Sequence, residues 1–103
     1  MNIYRHETSQ TVVSGTISST TLDIRGGLLR QVLIRAGTDS TIFRADITER
    51  TGIKVLNYAF HTGEINDTGA SGALPLPVSG YYNLNITNAS RDDSFDIRLV
   101  VQE

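Results

Sequence analysis

The residues most able to do chemistry are the carboxylates around Asp67-Thr68-Gly69-Ala70-Ser71. An aspartate on a glycine turn, doubled by dimerisation, could share a proton with its copy and supply both acid and base. The flanks do not support this. Glu64-Ile65-Asn66 precedes the turn, and a glycine-rich stretch with two prolines follows it. Asp92-Asp93, with Glu64 and Asp67, offers oxygens for calcium, but no Asp-x-Asp-x-Asp-Gly spacing frames them. His6 and His61 stand alone, without His-x-His or His-Glu-x-x-His spacing for zinc. There is no cysteine and no Gly-x-Ser-x-Gly elbow, and Gly26-Gly27 has no phosphate-loop context. The residues therefore point away from an enzyme and imply no cofactor and no metal.

The pentapeptide at Asp67 does resemble the active-site motif of retroviral-type aspartic proteases. That resemblance implies an apolar strand on each side and a place in the first third of the chain, and this sequence has neither. His61 reads as a rim residue at a strand end, and Asp92-Asp93 as a solvated turn.

Eight of the nine basic residues are arginine (Arg5, Arg25, Arg30, Arg35, Arg44, Arg50, Arg91 and Arg98), with Lys54 the only lysine. Two readings stand side by side. One is cross-strand ion pairs with Asp23, Asp46 and Asp96 on a solvated sheet, each contributing little. The other is an interface, where the planar guanidinium pairs and stacks better than an ammonium. With 103 residues and a net charge of −2, the chain suits one domain and carries no clustered positive charge for nucleic acid or a membrane surface. Met1–Glu7 lacks the basic start and apolar run of a secretory signal, and no stretch approaches a membrane span. Synthesis in a cytoplasm is the expectation. The Asn-x-Ser/Thr triplets at Asn66, Asn85 and Asn88 read as chance matches in that setting.

The elements that must position these residues are strands. Phe95, Ile97, Leu99 and Val101 share one face and alternate with Asp96 and Arg98. Tyr82, Leu84 and Ile86 alternate with Asn83, Asn85 and Thr87, and Asn88–Asp93 links the two runs as a hairpin loop. Phe43, Ala45 and Ile47 alternate with Arg44, Asp46 and Thr48. Arg50-Thr51-Gly52 turns the chain into a strand over Ile53–Phe60. Further strands are expected over Thr11–Ile17 and Thr21–Arg25, with Gly26-Gly27 a tight turn. Another, over Leu28–Arg35, has apolar residues on both faces and reads as covered on both sides. Thr62–Ala73 reads as a long loop. Pro75 and Pro77 confine the next piece to an edge or a crossing between sheets. Seven or eight short strands without a helical stripe predict an all-β, antiparallel two-sheet sandwich, jelly-roll or Ig-like. The division is an N-terminal arm over 1–10 and a single sandwich domain over 11–103.

The polar start Tyr4-Arg5-His6-Glu7-Thr8-Ser9-Gln10, the run Leu76–Ser90 and the closing strand Phe95–Gln102 together resemble the small, cysteine-free β-sandwich decoration (cement) proteins of tailed-bacteriophage capsids. The resemblance implies a structural protein on the outer surface of a virion. Such a protein binds the major capsid protein, often as a trimer, and uses a flexible N-terminal arm. The uncharged Thr11–Ile17 segment would invite association if left unpaired, which also points to a homo-oligomer, a trimer by preference. Tyr4, Arg5, His6, Thr11, Val13 and Tyr81 are the candidate interface residues. The alternative is a host-recognition or carbohydrate-binding module of a tail or head fibre. A sugar-binding face would normally show exposed aromatics, and this chain has no tryptophan.

Overall fold

In the computed structural model, residues 2–70 and 72–103 are described, with only the backbone of Arg25. Among the described residues seven strands follow one another: β1 (Ile3–Val12), β2 (Ser18–Ala36), β3 (Ile42–Glu49), β4 (Lys54–Thr62), β5 (Glu64–Asp67), β6 (Leu76–Thr87) and β7 (Asp93–Gln102). All pairings are antiparallel. The strands join into one hydrogen-bonded sheet in the order β1-β7-β2-β6-β3-β4, with β5 added beside β2. No helix occurs among the described residues.

The sheet is continuous because β2 belongs to both of its halves. Residues 18–24 and 27–29 of β2 pair with β6. Residues 31–36 pair with β7, and residues 32–35 also with β5 on the other side. The handover falls at Leu28-Leu29, which pair with both β6 and β7, just after Gly26-Gly27, which the sequence suggested as a tight turn. The structure makes that glycine pair an irregularity inside one long strand, with a register shift between Ile24 and Gly27. A Cβ on Gly27 would stand 2.6 Å from the Gln102 carbonyl oxygen, so only glycine lets β7 approach there. A second shift, between Leu29 and Gln31, turns Leu29 inward with Val32, Ile34 and Ala36. Leu33 is left half-buried on the outer face, so this stretch is covered fully on one side only.

One face of nearly every strand is apolar and buried. Val12, Leu22, Ile24, Phe43, Ile47, Leu56, Ile65, Val78, Leu84, Ile86, Phe95, Ile97, Leu99 and Val101 belong to one core cluster. A flat sheet would leave that face wet, so the sheet curls over it. Phe43 and Phe95, from opposite halves, meet edge to face at its centre with centroids 4.8 Å apart and planes at 73°. The accessible surface is 5674 Å², against roughly 5,700 Å² from mass scaling for a compact monomer.

Three other sequence expectations change. Residues 3–12, of which the first eight belonged to the expected arm, form β1, paired along its length with β7. Its inward positions Tyr4, His6, Thr8 and Gln10 are polar or amphipathic, so they lack the apolar alternation that marks a strand. The strand expected over Thr11–Ile17 ends at Val12; Val13–Thr16 is a turn closed by the Thr16 N–H to Val13 carbonyl bond at 3.1 Å. Within the expected loop 62–73 lies β5, held by Ile65, which is 1% exposed. The prolines behave as their chemistry requires. Pro77 faces Leu28 on β2, while β3 pairs with β6 only over 82–87, so Pro77 lies where β6 has an open side.

Candidate interaction surfaces

The outer face of the β2-β6-β3-β4 half is an amide and hydroxyl surface built around one carboxylate. Outward positions come into line because the registers place Ser19 opposite Asn85, Asn85 opposite Asp46, and Asp46 opposite Asn57. The Asn85 side-chain amide donates to Asp46 Oδ1 at 2.7 Å, and Ser19 Oγ donates to Asn85 Oδ1 at 2.6 Å. Lys54 Nζ stands 3.7 Å from Asp46 Oδ2. In the next row, Thr21 Oγ1 donates to Asn83 Oδ1 at 3.0 Å. Asp46 is only 8% exposed, so the network holds its charge out of bulk water and fixes the neighbouring side chains. Above it lies a groove of about 480 Å³, lined among others by Ile17, Arg44, Lys54, Asn57 and Asn88. The Arg44 guanidinium sits 5.4 Å from the centroid of the Phe60 ring, a cation–π geometry that fixes both groups. Phe60 and Ile17 are 56% and 73% exposed.

This groove borders a pole of the molecule where three loops are knitted together. Asp93 organises it, accepting from the Thr38 N–H at 3.0 Å, Thr41 Oγ1 at 2.7 Å and the Ser94 N–H at 2.8 Å. Burial pushes the Asp93 carboxyl up, but the hydrogen bonds from Thr41, Ser94 and Thr38 outweigh it and hold the group below its ordinary value. Asp92 accepts from the Ser14 N–H at 2.8 Å, and the Ala89 carbonyl accepts from Ser14 Oγ at 3.1 Å. Asp92, exposed in the turn, and half-buried Asp93 at the start of β7 thus staple loops from the solvent side, which adds a structural job to the solvated turn expected.

The carboxylates weighed for catalysis or calcium are spent separately. Asp67 is 8% exposed and accepts from the Tyr58 hydroxyl at 2.8 Å and the Gly69 N–H at 3.0 Å. The Tyr58 phenol is pushed up by burial first, then by the hydrogen bond to Asp67 and by its charge. This contact ties β4 to β5, across the seam between the sheet halves. Glu64 pairs with Arg35 at 3.4 Å. Among the described residues no three His, Asp or Glu side chains gather to hold a metal, and no buried side-chain nitrogen or oxygen lacks a partner. Ser71 lies outside the described residues. His61 is exposed, with Nδ1 2.8 Å from the Ala59 carbonyl oxygen.

The six residues singled out in the sequence fall in three places. Tyr4 and His6 lie on the inner side of β1 opposite Val101 and Leu99, half-buried, with ring centroids 5.9 Å apart. Arg5 points outward from the same strand, opposite Val100. Thr11 is at the far end of β1, where its carbonyl accepts from Ser18 Oγ at 3.3 Å, and Val13 is exposed in the following turn. Tyr81 is exposed on β6 opposite Asp23, in a cleft with Glu49 and Arg50. They do not form one surface. The patch of Arg44, Asp46, Asn57, Phe60 and Asn85 was not singled out. Alternation with Phe43, Ala45 and Ile47 marked Arg44 and Asp46 as outward, but only strand register brings Asn57 and Asn85 beside them.

No family model and no curated protein matches the chain. Among solved structures, it is similar to PliG of Aeromonas hydrophila, a periplasmic lysozyme inhibitor of g-type lysozyme. The identity is 12% and the TM-score 0.49, over 97% of this chain and 86% of that one. It is also similar to a chain of infectious bursal disease virus, Gx strain, at 12% identity and a TM-score of 0.34, over 98% of this chain but only 32% of the viral one.

Proposed function

We propose that this chain is a non-enzymatic structural protein of a virion. It decorates and stabilises a bacteriophage capsid by binding the major capsid protein on the outer surface. In this reading the curled sheet serves as a two-layer sandwich of jelly-roll or Ig-like type, made in the host cytoplasm and needing no cofactor. The observation that carries the reading is the Arg44–Phe60 pair beside exposed Ile17, above the locked Asp46–Asn85 network. Arginine and aromatic residues dominate binding energy at protein interfaces, and a patch held in place before contact loses little entropy on docking. The polar groove around it supplies a rim of amides and hydroxyls.

The test is co-sedimentation of the protein with capsids assembled from its cognate major capsid protein. Phe60→Ser and Arg44→Ala should each weaken binding by about tenfold or more, as anchor residues do. Undiminished binding by both variants, or no binding by the wild type, overturns the proposal. Binding to immobilised neutral oligosaccharides that Phe60→Ser abolishes would instead establish the carbohydrate-binding alternative.

A further inference from the structure

We propose that the free edge of β1 is a self-complementary surface that pairs with β1 of a second copy, antiparallel, about a two-fold axis at His6. Among the described residues β1 pairs within the sheet with β7 alone, and Ser18 Oγ reaches the Thr11 carbonyl only at the far end, beyond residues 3–9. Its ten residues, IYRHETSQTV, contain no proline or glycine to blunt the other edge. Strand β1 therefore offers a row of peptide groups on which a further strand could be added.

Charge selects the partner and the register. A strand paired antiparallel with its own copy is symmetric, so each register is defined by the residue that faces itself. Centring on Arg5 sets two guanidinium groups against each other, and centring on Glu7 sets two carboxylates against each other. Centring on Thr8 leaves Arg5 facing Thr11 and Glu7 facing Ser9, with no ion pair. Centring on His6 places Arg5 against Glu7 of the second copy, and Glu7 against its Arg5. Ile3 then meets Ser9, and Tyr4 meets Thr8. Like charges directly opposite destabilise a strand pair and opposite charges stabilise it, so one register is favoured and its two nearest competitors are penalised.

The neighbouring strand strengthens the choice. Arg5 and Glu7 both point outward, and Glu7 lies opposite Arg98 with Oε1 3.1 Å from Arg98 Nε. The Glu7 side chain is 58% exposed, and a carboxylate has lone pairs for a second guanidinium. The paired sheet would carry the row Arg98, Glu7, then Arg5 and Val100 of the second copy, repeated in reverse by symmetry. His6 faces its own copy on the inner side, where it is half-buried. This surface is separate from the Arg44–Phe60 patch, so the inference does not depend on the virion reading. A trimer closed through strand edges would need two different edges, whereas this one closes as a dimer.

The experiment is sedimentation equilibrium of the full chain at low salt. A dimer is expected. Arg5→Glu and Glu7→Arg should each weaken it by about tenfold or more, because each reversal replaces two attractive pairs with two repulsive ones. The double variant Arg5→Glu/Glu7→Arg should recover the affinity. Thermal unfolding of each variant checks that it folds. In the wild type, amide-exchange protection in residues 3–9 should rise with protein concentration. A monomer at all concentrations overturns the inference, as do a dimer indifferent to the single reversals and a double variant no tighter than the singles. Unchanging protection in β1 overturns it without any substitution.

Discussion

On the half of the sheet formed by β1, β7, the end of β2 and β5, the outward face carries exposed ion pairs beside Leu33 and the Gln31–Asn66 amide pair. On the half formed by the start of β2, β6, β3 and β4, it carries amides and hydroxyls around a carboxylate that is 8% exposed. The first half holds Arg98–Glu7 at 3.1 Å and Arg35–Glu64 at 3.4 Å, with side chains from 39% to 58% exposed. Such pairs gain little over hydration and are screened by salt. The second half holds Asp46 with two committed partners from adjacent strands, Asn85 and Lys54. Here a broken contact leaves a desolvated group unpaired. The same alternation of side chains thus yields a surface free to trade partners and a surface already fixed in shape. The first suits the strand-edge pairing proposed for β1, and the second suits an anchored patch.

The sharpest way to break this contrast is Asp46→Ala. It removes the acceptor of the half-buried Asn85 amide, which keeps only a 3.5 Å contact to Thr48 Oγ1, and the partner of the half-exposed Lys54, and should lower unfolding free energy by about 2 kcal/mol. Urea unfolding checks it; a loss no larger than that of an exposed ion pair would erase the distinction between the faces. Next comes the seam. Tyr58→Phe removes the hydroxyl that Asp67 accepts and should cost about 1–2 kcal/mol. The Tyr58 phenol titrates above its ordinary value in the folded protein, for reasons of burial first and Asp67 second. Its contribution is therefore complete below the unfolded phenol's value of about 10 and is lost as pH rises through the folded one. Stability of the wild type should fall in strong alkali more steeply than that of Tyr58→Phe, as equilibrium unfolding across that range would show.

The knitted pole responds to acid. The folded Asp93 carboxyl lies below its ordinary value, so its contribution is present above the unfolded carboxylate value of about 3.9 and disappears as pH falls through the folded one. Discounted for solvent screening, the effect is about 1 kcal/mol. Acid unfolding should be shallower in Asp93→Asn, and an identical slope in the two proteins would remove Asp93 as the clamp on Thr38 and Thr41.

How much of this was legible depends on whether neighbours in sequence or neighbours in space decide a residue's fate. Phe95 to Val101 announced a half-buried strand because each side chain's partner layer follows from alternation alone. Gly26-Gly27 signalled a break in both the expected and the observed structure. Whether the chain reverses there or bends onward is decided by Gln102, far away in sequence, against which Gly27 is packed. Strand β1 was hidden because its inner row of Tyr4, His6, Thr8 and Gln10 is not apolar, and the strand is made by β7. Asp46 was visible as an outward residue. Its burial was not, since that comes from Asn57, Asn85 and Lys54, which only register assembles.

The smallest effect completes the comparison. Glu64→Ala deletes the partner of Arg35 on a face where both side chains are open to solvent. Water replaces the lost contact at Arg35, so the cost should be under about 0.5 kcal/mol and should vanish at high salt. The Asp46→Ala loss should largely persist in the same salt, because what is lost there is chiefly the hydrogen bond from the half-buried Asn85 amide, which salt screens little. Measuring both variants by urea unfolding at low and high ionic strength therefore separates the faces by mechanism as well as by size. If the two losses fall together as salt rises, Asp46 is an ordinary surface charge and the fixed patch is no more fixed than the rest.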